Sequence, residues 1–157
     1  MFLLFVLVIY QLISGDIETN PGPSKCKNLR LCHVNRRSLS RSKLLAIKTS
    51  LIDIYDIITI SETHLHAGIP NTLFQLEGFH DIIRKDRGAQ GGGIAVFIRD
   101  SLFYKRIYRY EQPDLEAIWL QINSIEGKFI ICTCYRPPDS NNFWTDFTGV
   151  LDEVKQN

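Results

Sequence analysis

DIITISET, which spans residues 56–63, is the stretch of this sequence that decides its fold. Asp56 to Ser61 is a nearly continuous apolar run rich in isoleucine, a pattern typical of a β-strand that is covered on both faces. Glu62 follows at the point where the apolar run stops. The stretch therefore predicts an α/β fold with a buried strand and a polar residue at the end of it.

The sequence before this strand predicts another strand and a helix. Leu29 to Asn35 (LRLCHVN) alternates between apolar and polar residues, as a strand does. Leu44 to Ile54 carries apolar residues at helical spacing, and Ser40 or Ser42 is the expected N-cap. The order strand, helix, strand is therefore expected up to Glu62.

Several further strands and one helix are expected after Glu62. The strands are separated by polar or glycine-rich turns such as Gly88 to Gly93. An amphipathic helix is expected from Asn142 to Val154, and no return strand follows it. This arrangement indicates a truncated domain. The five expected strands are Phe79 to Arg84, Gly93 to Arg99, Phe103 to Tyr110, Leu115 to Asn123 and Lys128 to Tyr135.

Composition sets limits on size and partners. The chain has 157 residues, 45% of them hydrophobic and 22% charged, which suits one globular domain. The formal net charge of +1 is too small to indicate a nucleic-acid partner.

The four cysteines predict no metal site. Cys26, Cys32, Cys132 and Cys134 form no CxxC pair or other familiar zinc spacing. Cys132 and Cys134 alternate within the apolar run FIICTCY, which places both on one face of a strand. Buried, reduced thiols are the favoured interpretation. A disulfide between distant strands is the alternative.

The first residues form an apolar leader. Phe2 to Ile13 is apolar except for Gln11, and it is too short for a membrane-spanning helix of about 20 residues. It is similar to the apolar part of a secretory signal, although the positively charged segment that normally precedes it is absent. No stable membrane span is expected.

The motif DIETNPGP, residues 16–23, closes this leader and resembles the signature of 2A ribosome-skipping peptides. A plain turn would account for the last four residues, but not for the acidic residues Asp16 and Glu18 at their proper distances. The resemblance implies that the ribosome is a partner during synthesis and fails to join Gly22 to Pro23, with a turn formed by Asn20 and Pro21.

Residues 1–23 are accordingly assigned as an apolar leader with a 2A peptide, and residues 1–22 need no fold after synthesis. The product that begins at Pro23 is expected in the cytoplasm or nucleus. An unskipped product retains the leader, which can serve as a secretory signal.

Taken in combination, four motifs after the leader indicate one protein family. They are Asn35 in HVNRRSL, Glu62 in SETH, the segment GGGIAVFIRD at residues 91–100, and Tyr135 in YRPP. Each polar residue by itself is more often a strand end than a ligand. In this order they resemble the endonuclease/exonuclease/phosphatase superfamily, and most of all the nuclease domains of non-LTR retrotransposons.

The resemblance covers residues 28–157 and implies a truncated domain. The implied fold class is α/β: a partial αββα sandwich, about half of the family domain, with mostly one sheet and flanking helices. Such a half domain would leave a large apolar face exposed.

The resemblance also implies functional residues. Glu62 would bind the catalytic Mg²⁺, a cation that prefers oxygen ligands. Asn35 would hydrogen-bond near the metal and the scissile phosphate, and Tyr135 would help stabilise charge in the transition state. Arg136 and Arg99 are weaker candidates for contacts with DNA phosphates. DNA is the implied partner, and no small-molecule cofactor is implied.

The sequence departs from the family pattern in two ways. His64 stands where the family usually has an aromatic residue, most often tryptophan. The later Gly-Asp-Phe-Asn and Ser-Asp-His segments, which supply the water-activating residue and a phosphate-stabilising histidine, do not occur in this sequence. The expected function is therefore a fragment of an endonuclease that nicks target DNA to prime reverse transcription, inactive by itself.

A function from another class remains open at this stage. The chain could be a small, non-catalytic secreted or membrane-associated protein in which the apolar leader is a true signal. The nuclease-like half would then be a relic. The position of the mature N-terminus discriminates between the two hypotheses.

Overall fold

The structure is a computed structural model that describes residues 4–9, 29–87, 91–124, 127–138 and 140–156. The predicted skipping site, which consists of Asn20, Pro21, Gly22 and Pro23, lies outside the described residues, as does Cys26.

Eight strands form two sheets of four strands each in the described part of the chain. The first sheet has the order β2 (Leu31–Asn35), β3 (Ile57–Ser61), β5 (Ile94–Ile98), β4 (Ile83–Lys85). The second sheet has the order β1 (Leu4–Ile9), β8 (Gly127–Tyr135), β7 (Ala117–Ser124), β6 (Phe103–Arg106). Two α-helices, α1 (Arg41–Ser50) and α2 (Phe143–Gln156), and two short 3₁₀ helices, Asn71–Phe74 and Tyr108–Tyr110, complete the described elements.

Helix α1 connects two parallel neighbours in the first sheet. β2 and β3 pair in parallel with Asn35 opposite Ser61, so the residues that follow both strands lie at one edge of the sheet. β5 pairs antiparallel with β3 and places Ile98 opposite Ile57. Glu62 and the start of β5 therefore share that edge, and Arg99 lies at the other edge.

The two sheets pack face to face, with a helix on each outer face. Between them lies a core drawn from both sheets, including Ile57 and Val96 of the first and Ile118 and Ile131 of the second. Outward-facing residues of the first sheet pack with Ile47 of α1, and those of the second sheet pack with α2.

These layers confirm the predicted α/β sandwich and correct one part of the prediction. We expected mostly one sheet, but the described strands build two. The chain leaves the first sheet after β5 and starts the second at β6, so the apolar face of each sheet covers that of the other. The prediction that a half domain leaves a large apolar face exposed is wrong for these strands, because the residues between the two sheets are buried.

Helix α1 differs from its prediction at both ends. It starts at Arg41 because the Ser40 hydroxyl accepts a hydrogen bond from the Lys43 amide at 3.4 Å and caps the first turn. It ends at Ser50, before the predicted end at Ile54. The chain turns there so that the Asp56 amide can donate to the Arg30 carbonyl oxygen at 2.8 Å, which begins the β2–β3 pairing.

Strand β1 was not expected, because residues 1–22 were predicted to need no fold. Leu4–Ile9 pairs antiparallel along β8, with Leu4 opposite Tyr135 and Ile9 opposite Ile130. Without β1, β8 would be an edge strand with unpaired backbone amide and carbonyl groups. The backbone of β1 (LFVLVI) pairs with them. In the unsplit chain the leader therefore has a place in the second sheet.

The cysteines follow the favoured interpretation. Among the described residues, Cys32, Cys132 and Cys134 form no disulfide, and the last two are buried in the cluster under α2. Burial raises the pKa of the Cys132 thiol well above its usual value.

Within the described ranges, neither α-helix combines the length and apolar character that crossing a bilayer requires.

Candidate active site

Glu62 lies directly after β3 in a constrained backbone conformation. Its φ is +56°, a left-handed conformation that residues with a side chain seldom adopt. Hydrogen bonds on both sides hold it there: the Ser38 amide donates to the Glu62 carbonyl oxygen at 2.8 Å, and the Thr63 amide donates to the Gly93 carbonyl oxygen at 3.1 Å. Non-glycine residues in such conformations occur disproportionately at functional sites.

Asn35 and Tyr135 converge on one oxygen of Glu62. The Asn35 side-chain amide donates to Glu62 Oε1 at 3.3 Å, and the Tyr135 hydroxyl donates to the same oxygen at 3.2 Å. Asn35 ends β2 in the first sheet and Tyr135 ends β8 in the second, so the three residues meet at the edge where the two sheets open. The three residues singled out as strand ends thus form one cluster.

Tyr135 is a neutral hydrogen-bond donor in this cluster. Burial raises the pKa of its phenol to about 12, and the charge of Glu62 and the hydrogen bond to it add to the rise. At neutral pH the hydroxyl therefore keeps its proton and points it at the carboxylate.

The donor set fits a hard divalent cation that keeps most of its water. Both hydrogen bonds go to Oε1, and no donor in the described ranges binds the other carboxylate oxygen of Glu62. Mg²⁺ in proteins is commonly held by one or two carboxylates and several waters, and amide oxygens such as that of Asn35 are acceptable ligands. In the described residues there is no cluster of three or more His, Cys, Asp or Glu suited to a metal.

Two glycines directly before β5 accept hydrogen bonds from the residues that follow Glu62. Gly92 and Gly93 have φ of +71° and +81°, and their carbonyl oxygens accept the amides of His64 and Thr63. A Cβ on Gly93 would lie 2.6 Å from Thr63 Oγ1, too close for any side chain. The GGGIAVFIRD segment therefore contributes backbone to the site, and this requires glycine.

Glu116 is a residue of the site that sequence reasoning missed. It immediately precedes β7 and is buried, and its Oε2 accepts the Gly93 amide at 2.7 Å. Its carbonyl oxygen accepts the Tyr135 amide at 2.9 Å. The available signal was an acidic residue inside the apolar run LEAIWLQI.

The two candidate arginines differ. Arg136 follows Tyr135 at the site, where its guanidinium donates to the Ser140 carbonyl oxygen at 3.4 Å and lies 5.9 Å from the centroid of the Trp144 ring. Arg99 is at the other end of β5, where it pairs with buried Asp56 at 3.2 Å and donates to the carbonyl oxygens of Ile52 and Tyr55.

Arg99 therefore lies away from Glu62, and its contact with a DNA phosphate stays a prediction. Asp56 precedes β3 and Glu62 follows it, so the strand separates them by about 20 Å at a rise of about 3.3 Å per residue. The Arg99 guanidinium neutralises the buried carboxylate of Asp56. Leaving this carboxylate buried without a partner would destabilise the fold.

No protein-family model matches this chain, and no curated protein matches it. Six chains among the solved structures do. One of them is the endonuclease domain of TRAS1, a telomere-specific non-LTR retrotransposon, with a TM-score of 0.57 and 14% sequence identity. The two share a fold. The match covers 82% of this chain and 53% of the TRAS1 domain, so this chain spans about half of that domain's length.

Proposed function

We propose that this chain is part of a Mg²⁺-dependent DNA endonuclease of the non-LTR retrotransposon type, which nicks target DNA to prime reverse transcription. The observation that carries the proposal is the convergence of Asn35 and Tyr135 on one carboxylate oxygen of Glu62. The name of the fold neighbour, an endonuclease domain, supports the assignment of DNA as substrate.

Each residue of the cluster has a role suited to its chemistry. Glu62, which accepts a hydrogen bond from the Asn35 side-chain amide, would hold Mg²⁺, which acts when bound as a Lewis acid on a phosphoryl oxygen. The neutral Tyr135 hydroxyl can donate to a phosphate oxygen as negative charge develops there. Arg136 extends the site as a positive contact for the DNA backbone.

We expect the chain by itself not to nick DNA. Phosphodiester hydrolysis requires a group that activates the attacking water. The described side chains that hydrogen-bond to the Glu62 carboxylate are those of Asn35 and Tyr135, and neither is a base at neutral pH. The resemblance assigns these groups to Gly-Asp-Phe-Asn and Ser-Asp-His segments, which do not occur in this sequence.

Metal binding tests the proposal without requiring turnover. Mn²⁺, used as a probe for Mg²⁺, should bind the 157-residue chain at one weak site detected by electron paramagnetic resonance, and Mg²⁺ should compete. Glu62→Gln should abolish this binding because it removes the carboxylate charge.

Glu77→Gln is the matched control. Glu77 is exposed and precedes Gly78, whose carbonyl oxygen accepts the Asp100 amide at the edge away from Glu62. Its replacement should leave Mn²⁺ binding unchanged. Equal Mn²⁺ affinity in the wild type and in Glu62→Gln would reject the proposed metal site.

A plasmid assay tests the second part of the proposal. The chain should leave supercoiled DNA intact in the presence of Mg²⁺. Cleavage that disappears in Glu62→Gln would show instead that the site is catalytically complete. Weak binding of duplex DNA, measured by fluorescence anisotropy, should decrease in Arg136→Gln and with added salt.

We propose separately that residues 16–23 act as a 2A peptide. All fixed positions of the signature are present, from Asp16 to Pro23. Translation of this frame in a cell-free system should yield a product that begins at Pro23, and Pro23→Ala should abolish it. A single unsplit band in both cases would reject the assignment and favour the alternative of an apolar leader that acts as a signal.

A further inference from the structure

Glu116 is a buried carboxylate at the junction of the two sheets. It is 7% exposed, and charged residues are rarely buried to this degree unless they are paired. Oε2 accepts the Gly93 amide at 2.7 Å, and Oε1 lies 3.4 Å from Nε of Arg87, whose side chain is 46% exposed. Burial raises the pKa of this carboxyl group, while the Gly93 hydrogen bond and the charge of Arg87 oppose the rise.

The side chain of Glu116 is two hydrogen bonds away from the backbone of the Glu62 loop. It binds the amide of Gly93, and the carbonyl oxygen of the same glycine accepts the Thr63 amide at 3.1 Å. Thr63 is the residue after Glu62. The contact therefore restrains the peptide that keeps Glu62 in its left-handed conformation.

The backbone of Glu116 holds the other half of the cluster. Its carbonyl oxygen accepts the Tyr135 amide at 2.9 Å, which positions the end of β8. One residue thus binds the loop behind Glu62 through its side chain and Tyr135 through its backbone. In this arrangement the Tyr135 hydroxyl donates to Glu62 Oε1 at 3.2 Å.

The Glu116 carboxylate packs tightly against the backbone of Gly92 and Gly93. A Cβ on Gly92 would lie 2.8 Å from Oε2 of Glu116 and 2.9 Å from Oε1, so the carboxylate packs directly against the glycine backbone. A shorter side chain at position 116 would withdraw the acceptor from the Gly93 amide.

We propose that Glu116 is a positioning residue that sets Glu62 and Tyr135 for metal and phosphate binding. The inference rests on the proposed nuclease function, since it assigns Glu116 a role in that same site. The hydrogen bonds of Glu116 go to the amides of Gly93 and Tyr135, so it would act through Gly93 and the β8 backbone.

Three substitutions separate positioning from charge. Glu116→Ala removes the acceptor, Glu116→Asp keeps the charge but withdraws the acceptor, and Glu116→Gln keeps an acceptor at the same length without the charge. Mn²⁺ affinity of the full chain is the readout, together with the pKa of Tyr135 and the melting temperature. We expect the Ala and Asp variants to lose about tenfold or more in Mn²⁺ affinity, and the Gln variant to stay within about threefold of wild type, since outer-shell partners typically contribute about 10–100-fold.

Glu111→Ala is the control for a loss of stability. Glu111 is a carboxylate of similar burial that pairs with Arg106 at 2.7 Å and 2.8 Å and has no hydrogen bond to Gly93 or Tyr135. It should lower the melting temperature and leave Mn²⁺ affinity unchanged.

The outcomes separate the two proposals. Wild-type Mn²⁺ affinity in Glu62→Gln would overturn the metal site itself. Loss in Glu62→Gln with wild-type affinity in Glu116→Ala would overturn the role of Glu116 alone. Near-normal affinity in the Asp variant with loss in the Gln variant would also overturn it, because charge would then be the cause. If Glu116→Ala does not fold, the Asp and Gln variants decide.

Discussion

At the scale of residues, the cluster is organised by one carboxylate oxygen that accepts two hydrogen bonds. Asn35 and Tyr135 both donate to Oε1 of Glu62, and each comes from the end of a strand in a different sheet. Burial and the charge of Glu62 together keep the Tyr135 phenol protonated. The same coupling makes Tyr135 a reporter of the charge on Glu62.

Glu62→Gln should lower the pKa of Tyr135 from about 12, because it removes the adjacent negative charge. The pKa should stay above the ordinary value of 10.0, since burial is the largest cause of the shift. Titration of ¹³C-labelled tyrosine by NMR would measure it, with Tyr135→Phe identifying the signal. A pKa that remains at about 12 in Glu62→Gln would show that the carboxylate does not face the phenol.

The raised pKa of Tyr135 also predicts the sign of a stability change. The folded chain holds this proton more tightly than the unfolded chain, whose tyrosine titrates near 10. The contribution of Tyr135 to the free energy of unfolding is therefore complete below about pH 10 and is lost as the pH rises toward about 12. Tyr135→Phe should flatten this part of the stability curve.

At the scale of elements, α2 covers the outer face of the second sheet through an aromatic cluster. Phe147 stacks on Trp119 of β7 with ring centroids 6.0 Å apart, and on Phe143 at 5.7 Å. All three side chains are buried. Because β8 lies under the same helix and ends at Tyr135, this packing supports the site from behind.

Phe147→Ala should lower the free energy of unfolding by about 3–5 kcal/mol, the usual cost of removing a buried phenylalanine side chain. Urea titration followed by circular dichroism would measure the loss. Thr145→Ala, on the exposed side of the same helix, should change it by less than about 0.5 kcal/mol. Equal effects of the two substitutions would mean that α2 does not dock on the sheet.

At the scale of the whole molecule, the leader contributes the edge strand β1 to the second sheet. Leu4–Ile9 pairs with β8, and the proposed skipping site lies between that strand and the rest of the chain. A product that begins at Pro23 lacks β1. Its β8 edge would then carry unpaired amide and carbonyl groups beside Tyr135.

Hydrogen exchange should distinguish the two products. In the unsplit Pro23→Ala chain, amides of β8 between Ile130 and Tyr135 should exchange more slowly than in the product that starts at Pro23, because β1 adds hydrogen bonds along this edge. Mass spectrometry of peptides from β8 would measure the difference, with peptides of β3 as the unchanged reference. Equal exchange in β8 would mean that the leader does not pair with it.

Much of this protein was predictable from local sequence pattern. The alternation in LRLCHVN, the isoleucine run before Glu62 and the apolar run before Tyr135 specified strands and their polar ends. The likeness of these ends to one superfamily grouped them before the fold was known. These signals are local because the side chains of a strand alternate with a period of two along the chain itself.

Only the tertiary structure decided which of these strand ends lie together and which charged side chains contact them. The second sheet, the pairing of Arg99 with buried Asp56, and the contact from Glu116 to Gly93 all join residues distant in sequence. The composition of a sequence and the spacing of its residues do not show which backbone amide lies within about 3 Å of a given side chain in the folded chain. The burial and hydrogen bonding that turn a common glutamate into part of a site arise only when the two sheets close on each other.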